Sequence, residues 1–387
     1  MTTPLTSPTL SIDEYSARFG EEPGYLDFAS VGPIGRAVIE EQNALSRVLE
    51  HARFGTVSTL GEQDARVRGA VSALTGFRPD QVSFQTNTSI GLMHTMFGIT
   101  GGLALARHEY PSVSYAAVRA AQSLGVLVPT WLDTEHGRVT PGDLRDRLTP
   151  AVTAVVVSLV DYRTGYLADI EGIRQVIGDR LLVVDAAQGF GVVDAPYEVA
   201  DVVVSTGRKW ARAGWGTGLL ALSDRAVEQL TPVFSGVTGI DPDQDPADLA
   251  PTEEVFPPSA SARAFSVSNP DPLAQARLAA ALEEIAQVGV RAIRSSLIEK
   301  TTRVIDLADE FGIPVTSSRA ETERAGIVVL TPASDQLTVL EASLFNHGVT
   351  VTSRDGSIRV SAHASTEEET FDMLRGAFTS FGSAINV

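Results

Sequence analysis

The sequence predicts an α/β protein: a large domain on a mostly parallel sheet, followed by a smaller α+β domain at the C-terminal end. Gly125–Trp131, Ala151–Val160, Leu182–Asp185 and Ala200–Ser205 are short, apolar and rich in β-branched residues, as strands covered on both faces must be. Beyond them, helical periodicity over Leu273–Gln287 and Ala292–Phe311 gives way to short strand-like runs and a last helical stretch, the pattern of a separate small domain. At 387 residues the chain also exceeds the size at which a single core keeps growing, so two domains are expected.

A hydrophobic share of 43% with 20% charged residues describes an ordinary water-soluble globular protein. The balance of 30 basic against 48 acidic residues sets a formal net charge of −18, which repels nucleic-acid phosphates and anionic lipid, so neither is an expected partner. The longest apolar run, Ala151–Val160, has a strand's length and falls far short of a membrane span. The opening MTTPLTSPTLS has neither the basic region nor the apolar core of a signal peptide, and a cytoplasmic location is expected. The chain has no cysteine, which excludes disulfides and thiolate metal sites. Its 6 histidines show no metal-ligand spacing, and no metal is expected.

In chain order, residues up to about Asp13 are rich in Ser, Thr and Pro and read as a loose arm. Tyr25–Pro33, YLDFASVGP, is a short extended piece entering a turn. Gly35–Phe54 reads as a helix, with apolar residues at Val38, Ile39, Leu45, Val48 and Leu49. Gln81–Gln85 is a short strand, after which Thr86, Asn87, Thr88 and Ser89 lead into the amphipathic run IGLMHTMFGI. Hydroxyls there can simply cap the helix; backed by free N–H groups and the helix dipole, they can equally form a phosphate cup. HEYPSVSY, His108–Tyr115, forms a turn carrying Tyr110, and DYRTGY leaves the Ala151–Val160 strand as a loop that can turn Arg163 toward substrate.

Further on, Gly214, Gly216 and Gly218 precede a strand instead of following one, so they lack the mechanism of a dinucleotide loop and read as close backbone packing behind Lys209. Gly236–Pro258 is acidic, proline-rich and aperiodic, a long surface loop. Gly326–Leu330, Val349–Thr352 and Ser357–Ser361 read as short strands, and a last helix runs from about Thr366 to Phe381.

Chemistry concentrates between Leu182 and Leu222. A strand ends in Asp185, a polar turn supplies Gln188, and the strand Ala200–Ser205 exits into a turn that carries Lys209 among Thr206, Arg208 and Trp210. Ligands of α/β sheets bind where strands end, so a carboxylate and a lysine on neighbouring strand ends would face one pocket. Alone, either residue is ordinary, an aspartate opening a turn or a surface lysine. Together they suggest pyridoxal phosphate. That cofactor is an electron sink only while its ring nitrogen is protonated, which a buried carboxylate enforces, and it is held as a Schiff base by a lysine whose amine must be neutral. An unperturbed lysine titrates near ~10.4; burial and an adjacent cation such as Arg208 both lower that value.

The pattern VVDAAQG...D...AD...S..RKW....G.G.LAL resembles the class V aminotransferase family of fold-type I pyridoxal phosphate enzymes. That family includes cysteine desulfurases, kynureninase, isopenicillin N epimerase-like proteins and hercynylcysteine sulfoxide lyases, and the pattern is closest to the last two. The similarity extends, more thinly, over most of the chain. It implies a seven-stranded sheet and a division into an N-terminal arm and helix that pack with the small domain (1–45), a large cofactor-binding domain (46–272) and a small domain (273–387).

The resemblance also implies roles. Tyr25–Pro33 is similar to the YLDxAA opening that lies along the site's mouth. The loop before IGLMHTMFGI resembles the GTTEA-type loop, which places Thr88 and Ser89, with Thr206, on the cofactor phosphate. HEYPS resembles the FPSN or FPTD turn, whose aromatic residue stacks on the pyridine ring, here Tyr110. Asp185 would keep the ring nitrogen protonated and Gln188 would hydrogen-bond the phenolic oxygen. Asp161 stands near the family's Asn or Gln at that oxygen, and its carboxylate departs from the pattern. FSVSNPDP resembles the loop that reaches the neighbouring subunit's site, which implies a homodimer with Asn269, or Ser268, on a partner's cofactor phosphate. SIRVSAH resembles the family's RxS segment, in which Arg359 would grip an amino acid's α-carboxylate through two hydrogen bonds.

An amino acid docked on Arg359 would displace Lys209, whose freed amine becomes the base for the α-proton. Carbon-sulfur β-lyase action on a cysteine S-conjugate or its sulfoxide is the leading expectation. It rests on the likeness to hercynylcysteine sulfoxide lyase and on the absence of cysteine, the residue on which desulfurases carry a persulfide. Transamination, epimerisation, and decarboxylating or oxidative deamination of a cysteine S-conjugate in specialised metabolism, such as lincosamide assembly, are the alternatives. A catalytically silent relative acting in binding is a more distant one.

Overall fold

The structure, a computed structural model, describes residues 9–134, 137–244 and 255–385. Seven strands, β1 (Val82–Gln85), β2 (Gly101–Ala106), β3 (Leu127–Leu132), β4 (Val152–Ser158), β5 (Leu181–Asp185), β6 (Val202–Thr206) and β7 (Gly218–Leu222), form one sheet in the order β1-β7-β6-β5-β4-β2-β3. β7 runs against both its neighbours, and every other pairing is parallel. A second sheet, β8 (Ile327–Leu330), β9 (Thr352–Arg354) and β10 (Ser357–Ser361), is antiparallel in the order β8-β10-β9.

The valine-rich strands carry apolar residues on both of their faces because both faces of the large sheet are covered. On β5, Leu182 and Val184 enter one core while Leu181 and Val183 enter the other. The second sheet has its own core with the helices Val290–Glu310, Leu337–Asn346 and Glu368–Ile385, and Leu26 from the N-terminal segment is buried within it. That segment is tied to the second sheet by bridges between Tyr25 and Thr350 and between Asp27 and Ser361. Helices Arg36–His51 and Thr56–Thr75 both pack on helix Pro272–Val288.

Register places the site. Ser158 pairs with Asp185 and Asp185 with Val204, so β4, β5 and β6 end together on one edge. Gly218, the first residue of β7, pairs with both Thr206 and Gln85, which brings the loop after β1 to the same edge. A Cβ on Gly218 would stand 2.7 Å from the Ser205 carbonyl and 3.0 Å from the Asn87 Cα, so only glycine lets that loop approach the lysine-bearing strand.

Several expectations need correction. The arm is fixed from Thr9 onward: the Thr9 and Leu10 N–H groups donate to the Gln287 carbonyl at 3.0 and 3.3 Å. Ser11 then caps helix Ile12–Ser16 in a reciprocal box with Glu14; residues 1–8 lie outside the described residues. The strand expected at Val349–Thr352 begins at Thr352, because Thr350 spends its backbone groups on Gly24 and Leu26 of the N-terminal segment. β2, GGLALA, escapes a reading based on β-branched residues because its two glycines serve close packing against Ala151 and Thr153 at the start of the neighbouring strand β4. In the long acidic loop, residues 245–254 lie outside the described residues; before them, the Gly236 N–H is held by the Ser266 carbonyl at 3.0 Å. Among the described residues no helix is long and apolar enough to cross a membrane.

Candidate active site

The chain contains two lysines, Lys209 and Lys300. Lys300 lies on helix Val290–Glu310, its Nζ 5.7 Å from the Phe371 ring centroid. Lys209 follows β6 and lines a hollow at the carboxyl edge of the large sheet with Asn87, Thr88, Ser89, Tyr110, Asp185 and Gln188. Burial lowers its amine to about 8; the neighbouring Arg208 guanidinium pushes the same way and Asp185 opposes. Its Nζ lies 5.4 Å from the Tyr110 ring centroid.

Asp185 is 4% exposed at the end of β5. Its Oδ1 accepts from the Ala187 N–H at 2.9 Å, and among the described residues no protein donor reaches Oδ2. Burial pushes this carboxyl above its ordinary range, with the Ala187 N–H and Lys209 opposing. Asp185 lines the hollow, and a carboxylate oxygen there without a protein donor is what a protonated ring nitrogen would satisfy. Thr88 opens helix Thr88–Gly98, behind Asn87, whose side chain accepts from the Ile90 N–H. The Thr88 Oγ1 is buried without a partner, an orphan that a phosphate oxygen at this helix N-terminus would satisfy. The Ser89 Oγ lies 2.7 Å from the Ser112 Oγ, and the Thr206 Oγ1 donates to the Thr217 carbonyl at 3.2 Å. Gln188 donates to the Ala29 carbonyl at 3.0 Å and accepts from the Trp210 indole N–H at 2.9 Å, which leaves one amide hydrogen for the hollow. The residues present fit pyridoxal phosphate.

Tyr162 is shared between this hollow and a wider cavity of about 370 Å³ that also takes in Arg163, Arg354 and Arg359. The Arg359 guanidinium donates to the Ser30 Oγ at 2.7 Å and the Thr352 Oγ1 at 3.2 Å, and its Nη2 lies 3.4 Å from the Asp27 Oδ1. Its Nε is buried without a partner.

Two expected site residues stand elsewhere. Asp161 does not line the hollow. Its Oδ1 accepts from the Arg163 and Thr164 N–H groups at 3.0 and 2.7 Å and from the Thr164 hydroxyl at 2.8 Å, so the carboxylate closes its own turn. Asn269 lines a separate depression with Arg68, Arg263 and Gln275, and within one chain it does not join Lys209.

The structure adds residues that the sequence reading passed over. Glu109, buried beside Tyr110, accepts from the Ser158 N–H at 3.1 Å and from the Ser158 hydroxyl, and Ser158 lines the hollow. Burial pushes Glu109 up to about 7, Asp185 and Asp161 adding to the push and the Ser158 donors opposing it. The N-terminal segment closes over the lysine turn: the Gly32 N–H donates to the Arg208 carbonyl at 2.8 Å, and the Arg208 side chain donates to the Ser30 carbonyl.

Residues 67–378 match the family model described as aminotransferase class-V. The chain is 28% identical over 330 residues to a kynureninase of Deinococcus radiodurans, covering 79% of this chain and 76% of that protein. It is 30% identical over 276 residues to a probable hercynylcysteine sulfoxide lyase of Mycobacterium tuberculosis, covering 68% of this chain and 63% of that protein. Among solved structures, the complex of the cystine C-S lyase C-DES with its reaction product cysteine persulfide superposes with a TM-score of 0.81 at 18% identity, covering 92% of this chain and 97% of that one. This last likeness concerns the fold. With an extensive family match over a fold-type I architecture, the chain belongs to the class-V aminotransferase family and is a pyridoxal phosphate-dependent enzyme.

Proposed function

We propose that the enzyme is a carbon-sulfur β-lyase that cleaves a cysteine S-conjugate, or its sulfoxide, to a thiol or sulfenate with pyruvate and ammonia. The observation that carries this reading is the cavity of about 370 Å³ that continues past Tyr162 and Arg359, room for a leaving group much larger than an ordinary amino-acid side chain. Two further facts support it: the similarity to a probable hercynylcysteine sulfoxide lyase, and a sequence without the cysteine that a thiol-based sulfur carrier needs.

In this reading pyridoxal phosphate, when bound, supplies the electron sink that makes the α-proton of an amino acid labile. Lys209 holds the cofactor, Asp185 pairs with its ring nitrogen, Tyr110 covers the ring face, and Gln188 offers its remaining amide hydrogen. Thr88, Ser89 and Thr206 take the phosphate, joined by Asn269 from a second copy of the chain in a homodimer. Arg359 takes the α-carboxylate, with its unpartnered Nε as one free donor. The Lys209 amine, already lowered to about 8, accepts the α-proton near neutral pH. Loss of the sulfur group from Cβ then breaks the carbon-sulfur bond, and water completes the products.

A product assay with a panel of cysteine S-conjugates and their sulfoxides tests the reading. Pyruvate released in step with thiol or sulfenate, without an added keto acid, is the expected result. Conversion to the aminated cofactor without pyruvate would replace the β-lyase with a transaminase, and inversion at Cα alone would replace it with an epimerase.

A further inference from the structure

Three of the residues lining the wider cavity are arginines, Arg163, Arg354 and Arg359, against a single acidic lining residue, Asp355. In a chain of net charge −18 this local excess of cations runs against the composition. Arg359 is engaged with Asp27, Ser30 and Thr352 as described. Among the described residues, the side chains of Arg163 and Arg354 have no ion pair and no hydrogen bond, although 48 acidic residues are available to the chain. Their positions are fixed by the backbone. Arg163 sits in the turn that Asp161 closes, where its own N–H donates to the Asp161 Oδ1 at 3.0 Å. Arg354 ends β9 at the tip of a hairpin whose turn uses Asp355 and Gly356 at φ 50 and 75°, and its guanidinium lies 5.9 Å from the Tyr162 ring centroid. Both line the wider cavity and neither lines the Lys209 hollow, with Tyr162 common to the two.

We infer that Arg163 and Arg354 form a subsite for a second carboxylate, carried by the part of the substrate beyond its sulfur. This inference rests on the proposed reading of the site, in which Arg359 already takes the α-carboxylate. The two guanidiniums are exposed, so each contributes modestly; their value lies in discrimination, because a neutral substituent forfeits two cations at once. His108 lines the same cavity and offers a further polar contact to the same group. The substrate class narrows from cysteine S-conjugates at large to acidic ones.

The test uses the cofactor-loaded enzyme and two probes of matched size, S-(2-carboxyethyl)cysteine and S-(2-carbamoylethyl)cysteine. Affinity is read by calorimetric titration and turnover by pyruvate release. The acid is expected to bind about tenfold tighter than the amide, a difference of about 1.4 kcal/mol. Arg354→Gln and Arg163→Gln, each confirmed as folded by an unchanged thermal midpoint, should each erode that preference, and the double variant should abolish it while leaving the amide's affinity as it was. Arg354→Lys should retain part of it. Equal affinity for the two probes, no measurable binding of either, or equal loss of both in the variants would overturn the inference. An arginine-dependent preference without pyruvate would keep the subsite and defeat the β-lyase reading; pyruvate from both probes with no preference would do the reverse.

Discussion

Arg359 and Asp27, 332 positions apart in the chain, meet at 3.4 Å beside the hollow that holds Lys209. Asp27 also accepts from the Thr352 hydroxyl at 2.7 Å, so the carboxylate is fixed before any ligand arrives. The arginine proposed to bind an α-carboxylate is thus held in place by an internal one and keeps a buried Nε without a partner. Arg359→Ala should weaken binding of α-amino acids about 30-fold or more, roughly 2 kcal/mol for loss of a charge-assisted pair, while leaving cofactor retention intact. Titrating an amino acid against its amide checks the assignment: the variant should lose the preference for the free carboxylate. Equal loss for both ligands would remove Arg359 from that role.

Lys209 offers a prediction with an internal control. Borohydride reduction of the cofactor-loaded protein followed by peptide mass analysis should place the modification on the peptide containing Lys209 and leave Lys300, the second lysine of the chain, unmodified. In the apoprotein, the neutral amine is the species that captures an aldehyde, and its fraction rises with pH. Because the amine is lowered to about 8, the rate of cofactor capture should rise with pH and level off above about 9, where an ordinary lysine would still be climbing. Arg208→Gln removes one of the causes of that lowering, so its rate profile should move to higher pH.

Which parts of this site were open to sequence reading follows from how each is built. Asp185, Gln188 and Lys209 stand in strand-turn patterns whose geometry is local, so a pocket at neighbouring strand ends could be inferred from 25 consecutive positions or so, the span of a typical strand-loop-strand unit. The pairing of Arg359 with Asp27, and of Ser158 with Glu109 across 49 positions, is set by how β10 meets the N-terminal segment and how β4 meets the turn before helix Pro111–Leu124. No local pattern encodes either. Asp161 lies outside the lining of the hollow, and its local sequence accounts for that: the N–H groups two and three positions on and a threonine hydroxyl close an Asx turn on its carboxylate. The strongest signal for Lys209 lay in plain sight as the scarcity of lysine, 2 in 387 residues, which makes a lysine at a strand end hard to read as surface decoration.

Glu109 makes stability depend on pH. Its folded-state value is raised to about 7 from an ordinary 4.5, chiefly by burial, so the folded protein holds this proton where the unfolded chain has released it. The contribution is therefore fully present below about 4.5 and lost as pH rises through 7. Glu109→Gln can still accept from the Ser158 N–H and donate to its hydroxyl, without a charge. The variant should match the wild type near pH 5 and exceed it above pH 7.5 by about 2 kcal/mol, an order-of-magnitude figure for a shift of this size. Thermal midpoints across that range check it, and parallel curves for the two proteins would show that Glu109 titrates as an ordinary carboxylate.

The N-terminal segment should prove necessary for keeping the lysine turn in place. Arg212, 1% exposed with φ 56°, donates to the Pro33 carbonyl at 2.6 Å and the Ser365 hydroxyl at 2.7 Å, forms a two-armed pair with Glu21, and stacks 3.6 Å from the Phe19 ring centroid. It thereby ties the stretch after Lys209 to both the N-terminal segment and the segment that follows β10. Arg212→Ala leaves the Glu21 carboxylate without its partner and should cost about 3–5 kcal/mol, visible as a large fall in thermal midpoint. Gly32→Ala acts more locally: a Cβ there would collide with the Lys209 carbonyl, so the segment must lift and its N–H must release the Arg208 carbonyl. The expected phenotype is a folded protein, with a modestly lowered midpoint, that releases cofactor on dialysis at least tenfold faster than the wild type. If Gly32→Ala retained cofactor as the wild type does, the contact between this segment and the lysine turn would be packing without consequence for the site.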